Sequence, residues 1–100
     1  MSQAIQSKYS WLITWNNLDC KKTQITGPSN CDEKEALKLE LHPHAKSFKM
    51  YDDDGEHYFT GKYLGPDGEQ MFGPLDDFGR AYGCTEIWYW DAERHTYVLL

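Results

Sequence analysis

Five stretches of the chain read as strands, the first of them by the period-two alternation of apolar and polar residues that marks a half-buried strand. KYSWLITWNN puts Tyr9, Trp11, Ile13 and Trp15 on one face and Ser10, Leu12 and Thr14 on the other, predicting a first strand over about residues 9–16. KSFKMYDD and EHYFTGKYLG flank Asp54-Gly55, a strong hairpin turn dipeptide. In this hairpin Phe48 and Met50 share a face; His57, Phe59, Gly61 and Tyr63 share a face of the second strand, with Tyr58 and Thr60 opposite. CTEIWYWD and TYVLL, joined by AERH, predict a last hairpin. Trp88 and Trp90 face one way there, and Ile87 and Tyr89 the other. Both faces are apolar, so this strand is expected centrally, covered on both sides. The helix would cover one side, and the long loop or a partner the other.

The remaining segments read less directly. NNLDCKKTQITGPSN reads as a connection with a short extended piece near residues 23–26, punctuated by Gly27-Pro28. SNCDEKEALKLELHPH predicts a helix over 31–42. Asn30 with Glu33 and Ser29 with Asp32 have capping spacing, and Asp32, Glu33 and Glu35 suit a helix N-terminus. Leu37 and Leu41 lie one turn apart, and Pro43 stops the helix. Leu37, Leu39 and Leu41 also alternate as a strand would, which is the competing reading. Between 64 and 83, Gly65, Gly68, Gly73, Gly79 and Gly83 with Pro66 and Pro74 mark a long loop, holding a short helical turn near LDDFGRAY. Residues 1–7 are polar and expected to fray. The expected architecture is a single small α+β domain over 1–100: one helix packed on a mostly antiparallel sheet of about five strands.

Composition narrows the class. Aromatic residues make up 15% of the chain, enough large side chains to fill one modest core and to exclude intrinsic disorder. No apolar run reaches membrane-spanning length, so no membrane partner is expected. MSQAIQSKYS lacks an apolar run before a small-residue cleavage site, so a secretory leader is not expected. Cys20, Cys31 and Cys84 are an odd set, read as reduced thiols of a cytoplasmic protein, with a Cys20–Cys31 bridge as the alternative. Net charge is −6, and it is uneven: residues 1–50 hold seven basic and five acidic side chains, residues 51–100 three basic and eleven acidic. An acidic half repels a phosphate backbone, so direct nucleic-acid binding is disfavoured and a basic protein partner fits the sign.

Candidate chemistry is sparse. Asp52, Asp53 and Asp54 are contiguous, whereas a calcium loop needs alternating acids and a glutamate where this chain has Gly61. Aspartates that bond a turn's own backbone N–H groups explain the run more simply. With Glu56, they also concentrate negative potential at a projecting tip. His42, His44, His57 and His95 show no zinc spacing. Cys84 with His57 is a formal nucleophile pair, and Asp76, Asp77 and Glu86 a formal carboxylate set, although a helix-capping role for Asp76 or Asp77 is simpler. No glycine motif cradles a phosphate, and no cofactor is expected. The expectation is a small acidic non-catalytic domain, not an enzyme, that binds another protein as an inhibitor, immunity factor or adaptor. Its partner contact is assigned to Asp52, Asp53, Asp54, Glu56, Tyr58 and Trp90. Alternatives are a structural component of a larger complex, a DNA mimic, and a small hydrolase using carboxylate or Cys/His chemistry. The pattern sets no oligomeric state.

Overall fold

The computed structural model describes residues 9–28 and 32–100. It is an α+β fold in which a helix packs against a six-stranded antiparallel sheet. The strands are β1 (Ser10–Asn16), β2 (Lys21–Gly27), β3 (Lys46–Tyr51), β4 (His57–Leu64), β5 (Glu86–Asp91) and β6 (Thr96–Leu99). Their order across the sheet is β2-β1-β4-β3-β5-β6. The helix α1 spans Glu33–Glu40 and a shorter α2 spans Gly73–Asp77. The expected fraying of residues 1–7 and the capping roles of Ser29 and Asn30 lie outside the described residues.

The sixth strand is β2, longer than the extended piece expected at 23–26. Its turn contains no glycine. Instead the Asn16 side chain accepts the backbone N–H groups of Leu18 at 2.9 Å and Asp19 at 3.2 Å. Such an Asx turn reverses the chain by side-chain chemistry. Cys20, with φ +52°, completes it.

Two β-bulges revise the expected faces. One extra residue reverses the alternation that follows it. In β1, Ile13 pairs with Gly61 and Trp15 with Thr60, so Thr14 is the extra residue. Trp15 therefore leaves the face of Trp11 and Ile13. In β4, Phe59 pairs with Met50 and His57 with Tyr51, so Tyr58 is the extra residue. His57 then joins Thr60, while Tyr58 packs against the core that holds Phe59.

The larger core lies on one face of the sheet. Trp11, Ile13, Phe48, Met50, Phe59, Tyr63, Ile87 and Tyr89 point into it. The 64–83 connection folds over them as two 3₁₀ turns flanking α2, and supplies Met71 and Leu75. Two tyrosine hydroxyls pin this cover: Tyr63 donates to the Pro66 carbonyl and Tyr89 to the Met71 carbonyl, each at 2.7 Å. Each large apolar side chain taken out of water contributes about 1.5–3 kcal/mol.

The other face carries α1 at one end. Asp32 caps the helix, its carboxylate accepting the Glu35 N–H at 2.9 Å. The helix is shorter than the expected 31–42. It buries Ala36 and Leu39 against Leu12 and Leu64, leaving Leu37 and Leu41 exposed. Eight residues present only one narrow stripe to the sheet, and positions 36 and 39 form it. Within the sheet α1 packs on β1, β4 and β2. Hence β5 is not a central strand covered on both sides: it neighbours the edge strand β6, and Trp90 is 42% exposed. Among the described residues no helix is long and apolar enough to cross a membrane.

Candidate functional site

The part of the α1-side face that α1 leaves open is formed by β3, β5 and β6. Cross-strand pairs share a face, so register alone fixes which residues meet there. Tyr51 pairs with Glu86, Lys49 with Trp88, Trp88 with Leu99, and Trp90 with Tyr97. An aromatic row results. The ring centroids of Tyr51 and His57 lie 5.4 Å apart, those of Tyr51 and Trp88 6.2 Å, and those of Trp90 and Tyr97 5.4 Å. His95 ends the row, 6.4 Å from Trp90.

Polar groups are placed among these rings. The Trp88 indole N–H donates to the Glu86 carboxylate at 3.0 Å. The Lys49 ammonium lies 4.5 Å from the centroid of the Tyr97 ring. The Lys62 ammonium donates to the Ser47 hydroxyl at 2.8 Å. His57 Nε2–H reaches the Phe59 carbonyl at 3.0 Å. Burial holds the His57 pKa below its usual value, the Phe59 bond opposes that shift, and the nearby Lys49 charge adds to it. Between Tyr51, Gly55, Glu86, Trp88, Thr96 and Tyr97 a cavity of about 440 Å³ opens, within the size range of small-ligand sites.

The acidic turn forms one edge of this cavity through Gly55. Within the turn the three aspartates differ. The Asp52 carboxylate accepts the backbone N–H groups of Asp54 and Glu56, both at 2.9 Å. Those bonds, the Glu56 one foremost, hold its pKa below the ordinary value. Tyr58 is hydrogen-bonded to Asp52, which raises the tyrosine pKa. Asp53, Asp54 and Glu56 are exposed. So Asp52, Asp54, Glu56 and Tyr58 are brought together, while Trp90 stands four residues along β5 from Glu86, on the face opposite the core against which Tyr58 packs. The sequence reading missed Tyr51 and Glu86 as partners of Trp88, and Tyr97 as a second wall of the same cavity. Their meeting depends on β3 pairing with β5 across the intervening β4 and the 64–83 connection, which no local pattern encodes.

The formal catalytic sets do not assemble. Asp76 pairs with Arg80 at 2.9 Å. Asp77 accepts the Tyr9 hydroxyl at 2.8 Å and the Trp11 indole N–H at 3.0 Å, on the side of the sheet away from Glu86. Neither aspartate caps α2. Cys84 is 2% exposed in the larger core, and burial pushes its thiol pKa up to about 12. A nucleophilic cysteine needs the reverse shift. His57 lies on the opposite face, bonded to Thr60 at 2.9 Å. Cys20 is exposed with a free thiol, and the other end of the alternative Cys20–Cys31 bridge lies outside the described residues. Among the described residues no three His, Cys, Asp or Glu side chains group as a metal site. Compared with known proteins, the chain matches no family model, no curated protein and no solved structure at a significant level.

Proposed function

We propose that this protein is a small acidic non-catalytic domain that binds a basic segment of another protein on its open sheet face. The observation that carries the reading is the aromatic row Tyr51, Trp88, Tyr97 and Trp90, left beyond α1, with Glu86 among the rings and the acidic turn at its edge. Tyr and Trp supply large contact area at little entropic cost, and they dominate binding energy at protein interfaces. The acidic second half of the chain attracts a basic partner at long range, and the rings provide the short-range contact. Inhibitor, immunity factor or adaptor roles all use such a surface, and a cytoplasmic setting suits the reduced thiols.

The test is partner capture at two salt concentrations with three forms of the protein. Trp90→Ser removes an exposed ring from the open face, while Tyr82→Ser removes an exposed ring from the opposite side of the sheet. A stoichiometric partner kept by wild type and Tyr82→Ser but lost by Trp90→Ser supports the reading. A partner retained equally by all three forms, or none with any form, overturns it.

A further inference from the structure

The cavity beside the acidic turn has a more specific chemistry than the face as a whole. Its walls are the rings of Tyr51, Trp88 and Tyr97, its one carboxylate is Glu86, and its rim at Gly55 belongs to the turn that carries Asp53, Asp54 and Glu56. Aromatic faces attract cations through the ring quadrupole, and a carboxylate beside them fixes the cation's orientation. The chain supplies an internal precedent, since Lys49 already sets its ammonium over Tyr97. Glu86 uses Oε1 to hold the Trp88 indole, which leaves Oε2 for a further donor.

We propose that this cavity receives an arginine side chain from the partner's basic segment. A guanidinium is planar, so it stacks on an aromatic wall while donating in its own plane to a carboxylate. An ammonium is a compact, strongly hydrated charge and makes only one of these contacts well. Lys49, over the Tyr97 ring, opposes any incoming cation, so its charge limits affinity. The proposal rests on the protein-binding reading above and adds the identity of the group that is bound.

The Trp88 indole N–H reports on this site directly, because it is bonded to Glu86. A short glycine–arginine peptide is titrated into isotopically labelled protein while the indole resonances are followed. The same peptide with lysine, and with uncharged citrulline, at the arginine positions provides the comparison. Saturable movement of the Trp88 indole resonance with the arginine peptide, weaker movement with lysine and none with citrulline is expected. Glu86→Gln retains an oxygen acceptor for the indole and is expected to weaken arginine binding about tenfold. Lys49→Met is expected to strengthen it. Equal movement with citrulline, equal or tighter binding of the lysine peptide, or an unmoved Trp88 resonance overturns the assignment. Partner capture that still depends on Trp90 would then leave the broader reading standing without it, so the two failures are separable.

Discussion

The Phe48 ring fills the space over Gly61, its directly paired neighbour across β3 and β4. A Cβ at position 61 would lie 2.6 Å from Phe48 Cζ and 2.3 Å from the Leu12 carbonyl oxygen. The same device recurs at the sheet edge, where the Trp11 ring lies over Gly27 with 2.1 Å to an added Cβ. Both glycines thus let a large ring lie flat on the strand it pairs with, closing the core against the backbone.

Gly61→Ala is therefore expected to destabilise the fold by about 2–3 kcal/mol through overpacking, since the Leu12 backbone cannot move aside as a side-chain end can. Urea unfolding followed by Trp fluorescence measures it. A loss under about 0.5 kcal/mol, the range of ordinary surface changes, would show that the paired strands part more easily than this geometry implies.

Tyr9 and Asp77 form an alkaline-sensitive contact. Burial and the Asp77 carboxylate, in that order, raise the Tyr9 pKa from 10.0 to about 12. A group whose folded pKa is raised stabilises the fold fully below its unfolded pKa and stops doing so as pH climbs through the folded one. Stability should thus fall between pH 10 and about 12. Asp77→Asn should cost about 1 kcal/mol at neutral pH, a value reduced by solvent screening. It should also bring one phenol titration downward in ultraviolet absorbance, stopping short of the ordinary value because burial remains.

The acidic turn separates a structural aspartate from exposed ones. Asp52→Asn is expected to lower the melting temperature at neutral pH, while Asp53→Asn and Asp54→Asn leave it unchanged. Asp52 has a depressed folded pKa, so its contribution is present above the unfolded value of 3.8 and disappears as pH falls through the folded one. Melting temperatures of the three variants across the acid range check this. Equal responses would mean that the backbone bonds to Asp52 do not distinguish it.

Thiol chemistry offers a test of the core. Exposed Cys20 should react rapidly with an aromatic disulfide reagent, while Cys84, buried and with its pKa at about 12, should react only after denaturant is added. Peptide mapping assigns each modified position. Modification of Cys84 in the folded protein at the rate of Cys20 would show that the 64–83 cover opens readily.

Features set by neighbours in the chain are legible in the sequence. Alternation and turn signals placed five of the six strands, because a pleated chain turns successive side chains to opposite faces, while β2 read only as a connection with a short extended piece. Asp54-Gly55 placed a hairpin, and the acidic residues Asp32, Glu33 and Glu35 a helix expected from 31; that Asp32 itself is the cap came from the structure. The turn at Asn16 carries no glycine signal, because an asparagine side-chain carbonyl reverses the chain there. Tertiary structure decided the rest. The bulges at Thr14 and Tyr58 reversed the faces of Trp15 and His57, since a one-residue slip depends on the partner strand. The strand order carried β3 against β5 and so brought Tyr51, Glu86, Trp88 and Tyr97 around one cavity. The position of α1 over β1 and β4 left that cavity open, because a helix of eight residues covers only part of a six-stranded sheet.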